Sequence, residues 1–380
     1  MQSPFRRGAA APMTMLSLPV KTPMDCMSCE KQSTTAFEKD VDLGPLVRCR
    51  HLLVLSYSDK KTAPSVRAER LRAYLRELDA VAPRFDAAIA RTGRKHLCLA
   101  WRDAGPFSLR RTYTSLSSER AVALFALAVE ETRAAAEEDR REPDGIRRAC
   151  AALCDAAGFL RASASEGSSS GGDRASGGGD RLKHVSGACT AAFEVLVLAQ
   201  ALECYFELAV AGGKPLALCA KVAQQVGLDY DRVQGYMATA PDMDKAWMVH
   251  AQAKAAYFRG DACLRSAKVL REKGDGDGVG EAIARLRQGL ESLDVAKGAL
   301  WKVAGPVRDA TKRLRKEIET DLAAAERDNC RIYYARVPSA AALAELPGLP
   351  QPLVRPTAVE KILPQGAETI AAAAGEQKAS

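Results

Sequence analysis

The chain of 380 residues carries 55 basic and 47 acidic side chains, a formal net charge of +8, and is 47% hydrophobic, 27% charged and 6% aromatic. That length builds a core without disulfide or metal staples, and so mild a charge lacks the dense basic stripe of a nucleic-acid binder. With 69 alanines, the composition favours helices over sheets.

Residues 1–24 contain Arg6, Arg7 and Lys21 and no acid, but no apolar run with a small-residue cleavage site follows, so residues 1–16 are read as a disordered extension. Cys26 and Cys29 form a CxxC without a second half-site at finger spacing, and two free thiols are the simplest reading. The other nine cysteines are scattered, several within apolar runs, as in a reduced cytosolic chain.

From Ser65 to Ile89, Leu71, Tyr74, Leu75 and Leu78 recur at three and four residues, which predicts an amphipathic helix that Pro83 bends or ends. Residues 96–114 have the period-two, β-branched character of one or two short strands. A helix is expected from Ser118-Glu119 to Arg140, and a second from Ile146 to Ala162 with Asp144 as its N-cap. Serine and glycine then dominate residues 163–180, which cannot bury enough apolar surface to order themselves. They are read as a flexible insertion within one domain.

The longest apolar run, Phe193 to Val210, is interrupted by Glu194, Gln200, Glu203 and Glu207, which makes it a buried helix and not a membrane span. Two long helices, Asp244–Lys273 and Val279–Trp301, should form an antiparallel hairpin across a glycine-rich turn. Trp247, Ala251, Ala255, Phe258 and Ala262 mark the seam of the first, and Val279, Ile283, Leu286, Leu290, Leu293 and Leu300 that of the second. A third helix, Val307–Asn329, repeats the pattern with Leu314, Ile318, Leu322 and Ala325. Stacked pairs of this kind resemble the tetratricopeptide architecture without a strict 34-residue repeat. Six prolines between 338 and 364 turn residues 337–364 into an extended strap, and 361–380 read as a frayed tail. The tail has no terminal cysteine for a prenyl anchor.

No catalytic or cofactor constellation emerges. GDGDGVGE (274–281) places Val279 and Leu286 where a calcium loop needs acids, and it lacks the Gly-Lys-Ser/Thr ending of a phosphate loop. His51, His96, His184 and His250 are far apart, and His250 reads as a core-edge residue. No nucleophile elbow, papain-like block or kinase loop is present. No metal, cofactor or small-molecule substrate is expected, and the chain is not read as an enzyme. The run KRLRK (312–316) is a solvated helix face by default, with weak peripheral contact to an anionic membrane as its sharper reading. No aromatics interleave it, which argues against single-stranded nucleic acid.

The segment LAQALECYFELAVAGGKPLALCAKVAQQV (198–226) closely resembles the central signature of the Bro domain family, the ALIX and BROX type. WRDA (101–104), SSERAVALFALA (117–128), DGIRRACAALCDAAGFLRA (144–162), EAIARLRQGLE (281–291), RDNCRIYYARVP (327–338) and LVRP (353–356) resemble its other segments in family order. The resemblance spans residues 17–360, taken as one Bro domain, and implies a mainly α, boomerang-shaped fold with tetratricopeptide-like helical hairpins. It implies a single-domain member that acts as an endosomal adaptor in multivesicular body sorting. Such an adaptor is cytoplasmic, is recruited peripherally to endosomes, and binds the C-terminal amphipathic helix of an ESCRT-III subunit of the Snf-seven type.

The family's binding surface falls on Tyr205, Leu208, Leu218, Lys221 and Val222, with Leu353 and Asp144 beside them. Residue spacing is consistent with that surface, because Tyr205 and Leu208 share one helix face, and Leu218, Lys221 and Val222 share another after the Gly212-Gly213 turn. By spacing alone the apolar four read as ordinary core, and it is the resemblance that favours a surface. A helical scaffold for other peptides, without an ESCRT role, is the alternative reading of the same architecture.

Overall fold

The computed structural model describes residues 12–24, 42–92, 99–103, 110–113, 115–169, 185, 187–240, 243–273, 276–298 and 300–363. The CxxC of Cys26 and Cys29, His96, His184, most of the serine-glycine insertion and the tail from 364 lie outside them. The chain divides into two compact units. One comprises 12–16, 135–151 and 195–355, the other the described parts of 17–134, 152–194 and 356–363.

In the second unit, β1 (Lys21–Met24), β2 (Leu99–Asp103) and β3 (Arg110–Tyr113) form an antiparallel sheet in that order, with Lys21 opposite Asp103 and Leu99 opposite Tyr113. The hairpin of β2 and β3 fits the expected strands. Pro23 is accommodated because β1 is an edge strand.

Helices α1 (Gly44–Ser58) and α2 (Pro64–Thr92) pair in this unit. In α2, Leu71, Tyr74, Leu75 and Leu78 are all buried, and the helix continues through Pro83. It neither stops nor restarts there, because Val81 and Phe85 on either side are packed into the core and their burial offsets one missing N–H. Helix α3 spans Leu116–Glu137. Its Glu119 is fully buried and accepts hydrogen bonds from Trp101 Nε1 (2.9 Å), the Tyr74 hydroxyl (2.8 Å) and Arg50 Nη1 (2.5 Å). The tryptophan and glutamate of two signature segments are thus direct partners, and a buried carboxylate with three donors is satisfied.

Helix α4 (Pro143–Ser169) starts earlier than expected and continues to residue 169 of the segment read as loop. Asp144 is therefore in its first turn and is not the N-cap. An acid there still favours the helix dipole. Helix α5 spans Gly187–Ala211.

The first unit contains α6 (Leu216–Thr239), α7 (Lys245–Glu272), α8 (Gly276–Val295) and α9 (Gly305–Asp328), each packed on the next. Asp244 caps α7 by accepting from the Ala246 N–H at 2.8 Å. Most of the expected seam residues are buried: Ala251, Ala255, Phe258 and Ala262 on α7, Val279, Ile283, Leu286 and Leu293 on α8, and Leu314, Ile318 and Ala325 on α9, whereas Trp247, Leu290 and Leu322 are half-buried. Helix α8 ends at Val295, so Leu300 and Trp301 lie in a separate 3₁₀ turn, Leu300–Lys302. A π-turn, Asn329–Tyr333, closes α9 and leads into the strap, which is irregular apart from a 3₁₀ turn, Ala340–Ala342. A short helix α10, Val359–Ile362, follows in the second unit, where the Thr357 N–H donates to the Cys154 carbonyl. The protein is mainly α with few strands, as the sequence implied. Among the described residues, no helix is long and apolar enough to cross a membrane.

Candidate functional site

The turn between α5 and α6 sets the geometry of the site. Lys214 N–H donates to the Ala209 carbonyl (3.0 Å) and Gly213 N–H to Val210 (3.1 Å), the paired bonds of a Schellman C-cap. That cap needs a left-handed residue, and Gly213 adopts φ of 63°. Pro215 then precedes α6, and its carbonyl accepts from the Leu218 and Cys219 N–H groups.

Two stripes run along α6. Cys219, Val222, Val226, Tyr230, Val233 and Met237 repeat at three and four residues and are buried. Leu218, Lys221, Gln225, Leu228, Arg232 and Tyr236 repeat at the same spacing on the other side, and all are exposed or half-buried. Val222 belongs to the first stripe. It is 0% exposed, so it does not line a solvent-facing surface. Four residues advance the helix by about 40° beyond a full turn, enough to carry Val222 from the face of Leu218 into the core.

The other residues expected at the site are accessible. Tyr205 and Leu208 on α5 are half-buried, Leu218 is half-buried, and Lys221 is exposed. Leu353 is 42% exposed on the strap. Asp144 is exposed and paired with Arg147 one turn along α4. The strap is fixed to the outer stripe of α6, because the Leu349 N–H donates to Gln225 Oε1 at 3.2 Å. It is also fixed to α8, where Arg285 Nη2 donates to the Ala344 carbonyl at 2.6 Å. Leu228 and Tyr236 are exposed apolar residues on the same stripe that the sequence reading did not single out. Continuing the three-four spacing from Leu218 and Lys221 would have found them.

Beneath this surface lies a buried ionic cluster. Lys254 Nζ of α7 donates to both carboxylate oxygens of Glu203 at 2.6 Å, and the Tyr230 hydroxyl donates to Glu203 Oε2 at 2.8 Å. Arg140 Nη1 bonds Glu207 Oε1 at 2.7 Å and lies 3.6 Å from Glu203. Its other guanidinium arm bonds the Met13 carbonyl. Two of the three acids that interrupt the apolar run are thereby explained: Glu203 and Glu207 lock α5 to α6, α7 and the segment before α4. Burial raises the Glu207 carboxyl to about 7 despite Arg140, and burial lowers Lys254 despite Glu203. His250, one turn before Lys254, is lowered to about 3 by burial and by the Lys254 charge. Cys204, Cys219 and Cys263 are buried thiols inside α5, α6 and α7.

Tyr205 and Leu208 on α5, Leu218 and Lys221 on α6 and Leu353 on the strap are thus accessible side chains, four apolar and one basic, carried by a helical unit. A model of the BRO1-like domain matches residues 19–377, and the chain belongs to that family. It is 32% identical over 305 residues to the vacuolar-sorting protein BRO1 of Arabidopsis thaliana, which covers 79% of this chain and 35% of that protein. It is 35% identical over 154 residues to the pH-response regulator protein RIM20 of Yarrowia lipolytica, or 40% of this chain and 20% of that one. The chain thus spans about a third or less of these relatives. Among solved structures, the ALIX BRO1–CHMP4C complex superposes with a TM-score of 0.74 at 19% identity, covering 90% of this chain and 95% of that one. ALIX bound to a SIVmac239 PYKEVTEDL late domain superposes with a TM-score of 0.72 at 20% identity, covering 96% and 54%. These likenesses establish the BRO1-like fold.

Proposed function

We propose that this protein is an endosomal adaptor that binds the C-terminal amphipathic helix of an ESCRT-III subunit, of the Snf-seven type, during multivesicular body sorting. The observation that carries the reading is the open stripe of α6, where half-buried Leu218 and exposed Lys221 sit beyond the turn from half-buried Tyr205 and Leu208. A helix presenting leucine or methionine at i, i+3 and i+7 would place these against the leucines and its bordering acids against Lys221. Leu353 and Asp144 would extend the contact. The relative named for vacuolar sorting and the solved BRO1 domain of ALIX with CHMP4C support the same reading.

In this role the protein works by recognition, without chemistry of its own, and reaches endosomes peripherally through its partner. Titrating a labelled ESCRT-III C-terminal helix against wild type and Leu218→Asp tests the site. Loss of about 2 kcal/mol or more of binding energy in the variant supports it, and equal binding by both rejects it.

A further inference from the structure

We infer that the connection between α8 and α9 is a membrane-contacting tip, which seats Trp301 and Val295 among the headgroups of an anionic bilayer. The inference is independent of the binding surface proposed on α6 and concerns a separate part of the same unit. Trp301 is 71% exposed and Val295 63%, the indole being the largest apolar side chain that the described surface leaves in water. Their exposure is imposed by their neighbours. Ala296, Val303 and Val307 are buried and fasten the turn to the core, so residue 301, in the 3₁₀ turn just before Val303, is directed outwards.

The charge around this apolar pair is predominantly basic, although Asp294 directly precedes Val295. Residues 295–316 contain seven basic side chains (Lys297, Lys302, Arg308, Lys312, Arg313, Arg315 and Lys316) against the single acid Asp309. Among the described residues, Arg315 pairs with Asp294 and Glu319, whereas Lys297, Lys302, Lys312 and Lys316 pair with no acid. Lys302 holds its ammonium 4.9 Å from the indole centroid of Trp301. Arg308, Lys312 and Lys316 follow at four-residue spacing, so the run KRLRK contributes a basic row leading away from the tip.

Tryptophan flanked by lysines is the composition that settles at a bilayer interface, with the ring at headgroup depth and the ammonium groups at the phosphates. The tip is the connection at the end of the α8–α9 hairpin, where Val295 and Trp301 stand exposed over buried Ala296, Val303 and Val307. A bilayer receives such an exposed pair, whereas a partner helix needs a furrow.

The test uses the full chain with vesicles of phosphatidylcholine containing roughly 30 mol% phosphatidylserine, beside vesicles of phosphatidylcholine alone. Wild type should co-sediment with the anionic vesicles, lose binding in high salt, and shift its tryptophan emission to the blue through Trp301, since Trp101 is fully buried and Trp247 is half-buried on α7, a signal that the Trp301 variant isolates. Trp301→Ala should abolish the shift, and Lys297→Gln with Lys302→Gln should weaken binding by about fivefold for each lysine removed. Because all three side chains are exposed, thermal unfolding should be unchanged in both variants. Equal partitioning of wild type onto the two kinds of vesicle, or variants that bind as wild type does, would overturn the inference. Capture of an acidic soluble protein by Trp301 without vesicle binding would also overturn it.

Discussion

Lys254 and Glu203 face each other at 2.6 Å with neither side chain reaching solvent. The pair joins α7 to α5 directly beneath the proposed binding surface. Such a pair contributes little net stability against a well-packed apolar substitute, but removing one partner strands the other charge. Lys254→Met should therefore cost about 3 kcal/mol or more in urea unfolding. Adding Glu203→Gln, which still accepts from Tyr230, should recover a large part of that loss. A double variant no more stable than Lys254→Met would show that the ion pair is not the source of the effect.

His250 supplies a pH dependence with a definite sign. Its folded value of about 3 lies below the ordinary 6.5, so the unfolded chain takes up a proton that the native state refuses. The stability this group contributes is full above 6.5 and is lost as pH falls towards 3, amounting to about 2 kcal/mol between pH 6.5 and 5. Glu207, raised from 4.5 to about 7, slopes the other way: its contribution is full below 4.5 and is lost as pH rises to 7. In wild type the two partly cancel. Melting curves of His250→Gln against wild type should diverge in favour of the variant as the buffer goes from pH 6.5 to 5, and parallel curves would contradict the assignment.

Legibility in the sequence followed periodicity. Where one face alone is apolar, as at Val279, Ile283, Leu286 and Leu293, both the helix and its buried residues could be read directly. Helix α1 escaped because it is apolar on two sides, with Leu46 and Leu53 buried and Val47, Leu52 and Leu55 exposed. Strand β1 escaped because it is four residues with a proline, held by its pairing with β2. Family resemblance pointed to the proposed site, but where that surface gives way to core is a matter of helical phase. Val222 and Leu218 are one turn apart, yet the residual rotation places one in the core and the other at the surface.

The strap depends on a close approach at Gly280. A Cβ there would lie 2.4 Å from the Arg336 carbonyl oxygen, a clash with backbone that no side-chain rotation relieves. Alanine inside a helix normally gains up to about 1 kcal/mol over glycine. Gly280→Ala should instead destabilise the protein and speed proteolysis within residues 337–355. Because Gln225 and Arg285 hold the same strap, lifting it should also weaken peptide binding through Leu353. Unchanged cleavage with raised stability would show that the strap yields freely at this point.

Leu218 and Val222 separate recognition from support on a single helix. Leu218 is half-buried at the surface, so Leu218→Asp can meet water without unfolding α6, and its effect should appear almost wholly in the affinity for an ESCRT-III helix. Val222 is sealed among the residues of the inner stripe, so Val222→Ala leaves a small cavity and should cost about 2 kcal/mol of stability. Its effect on affinity should be slight at temperatures where the variant stays folded. Measuring melting temperature and peptide affinity for both variants gives a crossed pattern if the inner and outer stripes are divided as described. Should Val222→Ala lose affinity while retaining wild-type stability, the groove would have to reach deeper than the surface of α6.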